Sequence, residues 1–112
     1  MPSKKEKIRA AFRLACFKRD KYTCIGCGFK SNPVNAEVDL DAHHINDRHT
    51  FVNGGYIAAN GATLCKNGNN CHLKAEMWLQ NGTGESGFSP TDLYAKINSS
   101  REKADKEDNA IH

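Results

Sequence analysis

Two pairs of cysteines constrain this chain more than any other feature of its sequence. Cys24 and Cys27 form a Cys-x2-Cys pair, and Cys65 and Cys71 form a looser Cys-x5-Cys pair further along the chain. Four thiolates, each about 2.3 Å from the ion, make the closed tetrahedral shell of a structural zinc site. Such a site joins distant segments of a chain that is too short to build a large core. We therefore predict a structural Zn2+ that clamps these two segments together.

The fourth ligand of this zinc site has two candidates. His72 directly follows Cys71, and a shell of three cysteines and one histidine is also used by structural zinc sites. We favour Cys71, because His72 is a candidate for a second role that is considered below. A dithiol redox role for the first pair would call for a βαβ pattern, which this sequence lacks. The fifth cysteine, Cys16, falls on the apolar side of a predicted helix and is expected to be a buried small hydrophobic residue.

The length of 112 residues and the hydrophobic content of 38% fit one compact domain with a modest core. No apolar run of signal-peptide or membrane-span length follows the basic N-terminus, so we expect a soluble cytoplasmic protein with reduced thiols and no membrane partner. The net charge is only +3, but eight of the sixteen lysines and arginines lie between Lys4 and Lys21. This excess of positive charge can bind a polyanion or can form the solvated face of a helix, and charge alone does not separate the two.

The apolar pattern predicts an α+β fold in a single domain over residues 1–112. Residues 1–21 are predicted to form a basic amphipathic helix, and 22–80 a zinc-clamped ββα core. Residues 81–112 are predicted to form a glycine-rich linker, a short helix that starts at Ser89-Pro90, and a flexible tail beyond Ser100.

Within the core, alternation of apolar and polar residues predicts the first strand. Val38, Leu40 and Ala42 would share its buried face, and the second strand would run from Ala62 to Cys65. The two strands are expected to form an antiparallel hairpin. The segment 71–79 is predicted to be helical, with Leu73 and Met77 facing inward and Trp78 as a further candidate for that side.

Several residues suited to catalysis lie between the two cysteine pairs. His43 and His44 end the first predicted strand, Asn60 precedes the second, and His72 opens the helix. Each one alone has an ordinary explanation as a surface histidine or a turn asparagine. Their order along the chain is more informative than any single residue.

The segment from Tyr22 to Glu76 resembles the HNH, or ββα-metal, endonuclease family in its small zinc-containing form, which is found in phages and bacteria. The sequences YTCIGCG, DAHHI, NGATLC and CHLKAE occur in the family's order. One departure is that the usual Cys-x2-Cys before the last histidine is here stretched to Cys65-x5-Cys71. The resemblance implies a ββα-metal core with a structural zinc clamp, flanked by an N-terminal and a C-terminal helix.

The resemblance also implies an activity: metal-dependent hydrolysis of DNA phosphodiester bonds, by nicking or by double-strand cleavage. His44 would act as the general base, and His43 and His72 would hold one catalytic divalent ion, Mg2+, Mn2+ or Ni2+. Asn60 would organise the connection between the strands. Adjacent strand residues point to opposite faces, so His43 and His44 can share a cleft only where the strand twists or ends, and their roles could be exchanged.

Two further residues are candidates for contact with the substrate. Arg48 follows His44 by four residues, where a loop could bring its guanidinium to a phosphate oxygen, although an ordinary loop arginine is an equal alternative. Lys74 and the basic first helix could position the nucleic-acid backbone. The expected partner is DNA, bound by a monomer or a homodimer. The main alternative is a noncatalytic zinc-ribbon-like module that binds nucleic acid. The cysteines and the basic helix would support this alternative equally well, but such a module has no need of the histidines.

Overall fold

A β-hairpin followed by a helix forms the centre of the structure. The computed structural model describes residues 3–111, so the parts of the predicted segments at Met1, Pro2 and His112 lie outside the described residues. The predicted antiparallel hairpin, the helix after it and the helices on both sides are confirmed. In chain order the elements are α1 (Lys4–Arg19), α2 (Ala36–Asp39), β1 (Leu40–His44), β2 (Gly61–Cys65), α3 (Cys71–Asn81), α4 (Pro90–Lys96) and α5 (Arg101–Asn109), with single 3-10 turns at Arg48–Thr50 and Ala58–Asn60.

The second strand of the hairpin is covered on both faces. In the antiparallel register Leu40 pairs with Cys65 and His44 pairs with Gly61. All five residues of β2 are buried, although successive side chains point to opposite faces. Helices α1 and α3 both pack against β2 and supply this cover. At Gly61 a β-carbon would collide with the sulfur of Cys16, so the glycine lets α1 lie directly on the strand.

Helix α1 is fastened to the hairpin at its C-terminal end. Arg19 donates hydrogen bonds of 2.6 Å to the carbonyl oxygens of Ala58 and Gly61. Its guanidinium also makes a two-pronged contact with the Asp20 carboxylate at 2.8 and 2.7 Å. This arginine of the basic segment therefore has a structural role, and Arg13 of the same helix lies 3.7 Å from the carboxylate of Glu37.

The first strand and the third helix differ from the sequence prediction in which residues they bury. Val38 was predicted to lie in the strand, but it belongs to the short helix α2 and is 69% exposed. The backbone turns there because the amide of Val38 donates to the Asn35 carbonyl, and the strand starts only after this turn. The prediction that Leu73 and Met77 face inward is also wrong, whereas Trp78 is partly buried and packs against the core. Helix α3 instead buries Cys71 and Ala75, whose small side chains let it lie close to β2.

The predicted flexible tail beyond Ser100 is wrong, because that segment forms α5. The Ser100 hydroxyl caps the helix by accepting a hydrogen bond from the amide of Lys103 at 3.1 Å. The helix buries Ala104 together with the carboxylate of Asp108. The charged composition of this segment did not indicate a packed helix, because one of its two buried residues, Asp108, is acidic. Of the helices described, none is long and apolar enough to cross a membrane.

Candidate metal centres and cleft

Four cysteine sulfurs from distant parts of the chain meet in one cluster. Cys24 and Cys27 lie in the turn after α1, Cys65 ends β2, and Cys71 begins α3. All four sulfurs lie within 4.8 Å of one another, and those of Cys27 and Cys65 are 3.8 Å apart. Zinc–sulfur bonds of about 2.3 Å in a tetrahedron place neighbouring sulfurs about 3.8 Å apart. The cluster therefore has the donor set and spacing of a structural zinc site, as the two pairs predicted.

The turn that carries the first two cysteines is held against the hairpin. The amide of Ile25 donates a 2.9 Å hydrogen bond to the carbonyl of Thr63 in β2. At Gly26 a β-carbon would come within 2.7 Å of the Phe88 ring and 3.1 Å of the Cys71 sulfur. Only glycine fits there without displacing the cluster, which explains one of the two glycines of this turn.

The thiols of the cluster differ in how readily they ionise. Burial, followed by the charge of the neighbouring Cys24, raises the pKa of the Cys71 thiol well above its usual range. Although burial opposes the change, hydrogen bonds from the Phe29 backbone and the Asn69 side chain lower the pKa of Cys27 to about 7. Crowded thiols of this kind cannot all ionise unless a cation neutralises them.

A second group of side chains that could hold a metal ion joins β1 to α3. Nδ1 of His43 and Nε2 of His72 lie 3.3 Å and 3.2 Å from the same oxygen, Oε1 of Glu76. His43 is buried, and the geometry of its 3.3 Å contact leaves Nδ1 without a hydrogen bond. The His43 imidazole, followed by that of His72, lowers the pKa of the Glu76 carboxyl. One donor atom from each residue lies within 4.8 Å of the others, as ligands of a single ion must.

His44 lies beside this group and is the last residue of β1. Both His43 and His44 line the same cleft, which agrees with the expectation that the pair sits where the strand ends. The ring of His44 lies 4.7 Å from the Phe12 ring centroid and 4.7 Å from that of Tyr56, edge-on to the latter. Burial, then the charges of His43 and Arg48, lowers the pKa of His44 to about 4. The imidazole is therefore uncharged at neutral pH and is fixed by two aromatic rings.

Asn60 organises the connection between the two strands. It is fully buried, and its Nδ2 donates to the carbonyls of Asn46 at 3.1 Å and Gly55 at 3.3 Å. Its Oδ1 accepts from the amide of Asn46 at 3.0 Å and lies 2.8 Å from the hydroxyl of Tyr94. The Asn60 carbonyl also accepts from the amide of Ile45, directly after His44. This side chain thus bridges both ends of the loop and fixes the backbone that follows the two histidines.

The cleft between α1, β1 and α3 has a volume of about 270 Å³ and combines metal-binding donors with positive charge. Its α1 wall presents two arginines about one helical turn apart, Arg9 and Arg13. The chemically active lining consists of Arg9, Arg13, Asp41, His43, His44, His72 and Glu76, with Phe12 and Tyr56 beside His44.

The two predicted substrate contacts do not line this cleft. Arg48 is exposed and lines a neighbouring cavity, where its Nη1 lies 3.5 Å from the Tyr56 hydroxyl. Lys74 pairs with Glu85 at 3.2 Å and lies 5.5 Å from the Phe88 ring centroid. The cations that face the metal-binding donors belong instead to the basic first helix.

Sequence reasoning missed some members of this site. Glu76 follows His72 by four residues on a helix, a spacing that places both on one face and could have identified it. Asp41 precedes His43 by two residues on a strand and shares its face, and its Oδ2 lies 3.5 Å from Nδ1 of His72. Tyr94 gave no signal, because its contact with Asn60 depends on how α4 folds back over the loop.

Comparisons of the chain with models of protein families, with curated proteins and with solved structures found no match. A functional assignment therefore has to come from the chemistry of the two centres and the cleft.

Proposed function

We propose that the protein is a metal-dependent endonuclease of the HNH type, which hydrolyses phosphodiester bonds in DNA. One observation carries the proposal: His43, His72 and Glu76 converge in an open cleft that His44 also lines. A noncatalytic zinc-ribbon-like module would explain the four cysteines and the basic helix. It would have no use for a second group of metal-binding donors beside a fixed imidazole.

The donor set of the cleft fits a catalytic divalent ion. Two imidazoles and one carboxylate suit Mn2+ or Ni2+, whereas Mg2+, which prefers oxygen ligands, would depend more on water and phosphate. The unpaired Nδ1 of His43 and the Glu76 oxygen faced by two imidazoles support this fit. A bound ion would supply the positive charge that neutralises the leaving oxygen of the phosphodiester. His43 rather than His44 lies against His72 and Glu76, which favours His43 as the ligand of the pair.

The His44 imidazole would serve as the general base. Hydrolysis requires a group that takes a proton from the attacking water, and histidine is the side chain that most often does so. Packing between Phe12 and Tyr56 fixes the ring in one orientation, which removes the cost of positioning it for each reaction. Asn60 would act through the backbone, because it holds the residues after His44 in place without facing the cleft.

The substrate would lie along α1. Arg9 and Arg13 line the opening and could pair with phosphates, which would compete with the exposed 3.7 Å contact between Arg13 and Glu37. Because each chain has one such cleft, a monomer would nick one strand at each encounter. A homodimer would be needed to cut both strands together.

The cysteine cluster would bind a structural Zn2+ that positions part of the cleft. Cys71 is directly followed by His72, so a clamp on the first residue of α3 also fixes the start of the helix that presents His72 and Glu76. The closed thiolate shell leaves no position for substrate, which separates this centre from the catalytic one. Thiolate ligands need reduced cysteines, as the cytoplasm provides.

The proposal predicts that Glu76→Gln weakens the catalytic metal site while zinc stays bound. In calorimetric titration of the zinc-loaded protein with Mn2+, the wild type should bind one further ion. Glu76→Gln should bind it about tenfold more weakly or worse, because a charged ligand is lost, and plasmid cleavage should fall with it.

The matched control is Glu107→Gln, an exposed glutamate on α5 far from the cleft in sequence, which should match the wild type in both assays. Equal Mn2+ affinity and equal cleavage in Glu76→Gln would overturn the metal assignment. Binding of DNA without cleavage under any metal would favour the noncatalytic zinc-ribbon-like module.

A further inference from the structure

A second cavity lies beside the catalytic cleft, and the proposed hydrolysis does not use it. Its volume is about 330 Å³, at the lower end of the range for pockets that hold small organic ligands. Arg9 and Tyr56 line both the cleft and this cavity, so the two spaces are neighbours that share one wall. A nucleic-acid backbone that crosses the cleft would therefore pass beside the second cavity.

The lining of the second cavity combines apolar surface with positive charge. Ile8 and Ile111 contribute aliphatic walls, and Tyr56 contributes an aromatic ring. Lys5, Arg9 and Arg48 contribute cations, and no acidic residue within 3–111 lines the space. Lipid or peptide ligands do not need three cations at a recess of this size, whereas a nucleotide has both a flat apolar base and an anionic phosphate.

The apolar wall distinguishes between paired and unpaired nucleic acid. A base inside a duplex presents its edges in the grooves, while its faces are covered by stacking. Only an unpaired base can turn a face towards aliphatic and aromatic side chains, and such contacts are how single-stranded nucleic acid is commonly held. Phosphate contacts alone would leave Ile8 and Ile111 without a role.

We propose that this second cavity binds an unpaired nucleotide that flanks the bond to be cut, with the base against Ile8, Ile111 and Tyr56 and the phosphate on Arg48 and Lys5. The proposal rests on the proposed function only in taking the substrate to be nucleic acid. It gives Arg48 a place on the substrate path that its position outside the cleft does not otherwise explain. It also predicts that single-stranded or locally unpaired DNA is favoured over a perfect duplex.

Binding of two probes to the zinc-loaded protein, without added divalent ion, tests this proposal. The probes are a short fluorescent oligothymidine and a blunt-ended, fully paired DNA duplex of the same length, measured by anisotropy. Ile8→Ser should weaken oligothymidine binding by about four- to fifteenfold, as expected for the loss of one or two buried methylene contacts, and should leave duplex binding unchanged. Leu14→Ser is the matched control, because Leu14 is a similarly exposed aliphatic residue of α1 that does not line the cavity.

Two further variants test the other apolar wall of the cavity and its proposed phosphate contact. Ile111→Ser should repeat the effect of Ile8→Ser from outside α1, so a local loss of helix cannot explain both. Arg48→Gln should lower the slope of log affinity against log salt by about 0.7 for the single strand, and Lys103→Gln, an exposed lysine on α5, should not.

The outcomes separate this proposal from the proposed function. If the wild type cuts plasmid but Ile8→Ser and Leu14→Ser bind oligothymidine equally, the nucleotide site is overturned and the nuclease stands. If Ile8→Ser weakens duplex and oligothymidine binding equally, the cavity contacts only the backbone and the proposal is wrong. If oligothymidine binding depends on Ile8 and Ile111 but no metal supports cleavage, the nucleotide site stands and the nuclease falls.

Discussion

Cys16 differs from the other four cysteines through its surroundings. It is buried between α1 and β2 against Gly61, and burial raises the pKa of its thiol to about 12. No partner thiol lies beside it in the way that Cys24, Cys27, Cys65 and Cys71 lie beside one another. The chain therefore contains one cysteine that fills space and four that are arranged to hold an ion.

This contrast gives a prediction at the level of single residues. Cys24→Ser should release zinc and lower the free energy of unfolding by several kcal/mol, because the binding energy of a structural zinc is also folding energy. Cys16→Ser should cost about 1–3 kcal/mol for burying a hydroxyl, with zinc still bound in a ratio of one per chain. Zinc content by mass spectrometry and urea unfolding measure both effects. Full zinc occupancy in Cys24→Ser would contradict the clamp.

Helix α5 holds the loop that leads to Asn60. The buried carboxylate of Asp108 accepts hydrogen bonds from the backbone amides of Asn53 at 2.9 Å and Gly55 at 2.8 Å. At the other end of the helix, Arg101 donates to the carbonyl of Thr50 at 2.7 Å. Because the Gly55 carbonyl in turn accepts from Asn60, the helix is linked to the backbone beside the two histidines.

We therefore predict that Asp108→Asn destabilises the protein by about 1–3 kcal/mol, the cost of leaving a buried amide without an acceptor. Hydrogen exchange at Gly55 should speed up in the same variant. Asp105→Asn on the same helix is the control: it breaks only a half-exposed pair with Arg101 and should cost about 0.5 kcal/mol or less. If the two variants unfold at the same urea concentration, α5 does not hold the loop in the way described.

At the scale of the whole molecule, residue spacing in the sequence predicted the ββα core, but it did not predict helix α5. The cysteine pairs and the hairpin between them were predictable, because metal-ligand spacing and strand alternation are local patterns. The convergence of His43 with His72 could be anticipated only through the order of motifs along the chain. Their catalytic roles remain predictions.

The features that could not be predicted depend on tertiary packing, which leaves no periodic pattern of apolar residues in the sequence. Helix α5 has few apolar residues, so its attachment through Asp108 could not be recognised from hydrophobic spacing. The side of α3 that is buried carries Cys71 and Ala75 rather than its larger apolar residues. Likewise, Arg48 resembled a cleft residue by its distance from His44 along the chain, yet the loop directs it to the neighbouring cavity.

The two clusters are adjacent along the chain, because Cys71 belongs to one and His72 to the other. In the proposed function the zinc site would fix α3, which carries His72 and Glu76, and the hairpin carries His43 and His44 in the same cleft. Helix α1 closes the cleft with arginines that suit a phosphate backbone. This arrangement would place the proposed metal ligands, the proposed base and two arginines around one opening of about 270 Å³.

Cleavage of supercoiled plasmid by the wild type and by His44→Ala tests this account most directly, with Mg2+, Mn2+ or Ni2+ or with excess chelator. We predict that the wild type converts the plasmid to nicked or linear DNA only with a divalent ion. His44→Ala should keep zinc, fold and DNA binding while losing cleavage by a factor of about 100 or more. Cleavage by His44→Ala at the rate of the wild type, or no cleavage by the wild type with any of these ions, would contradict the proposed function.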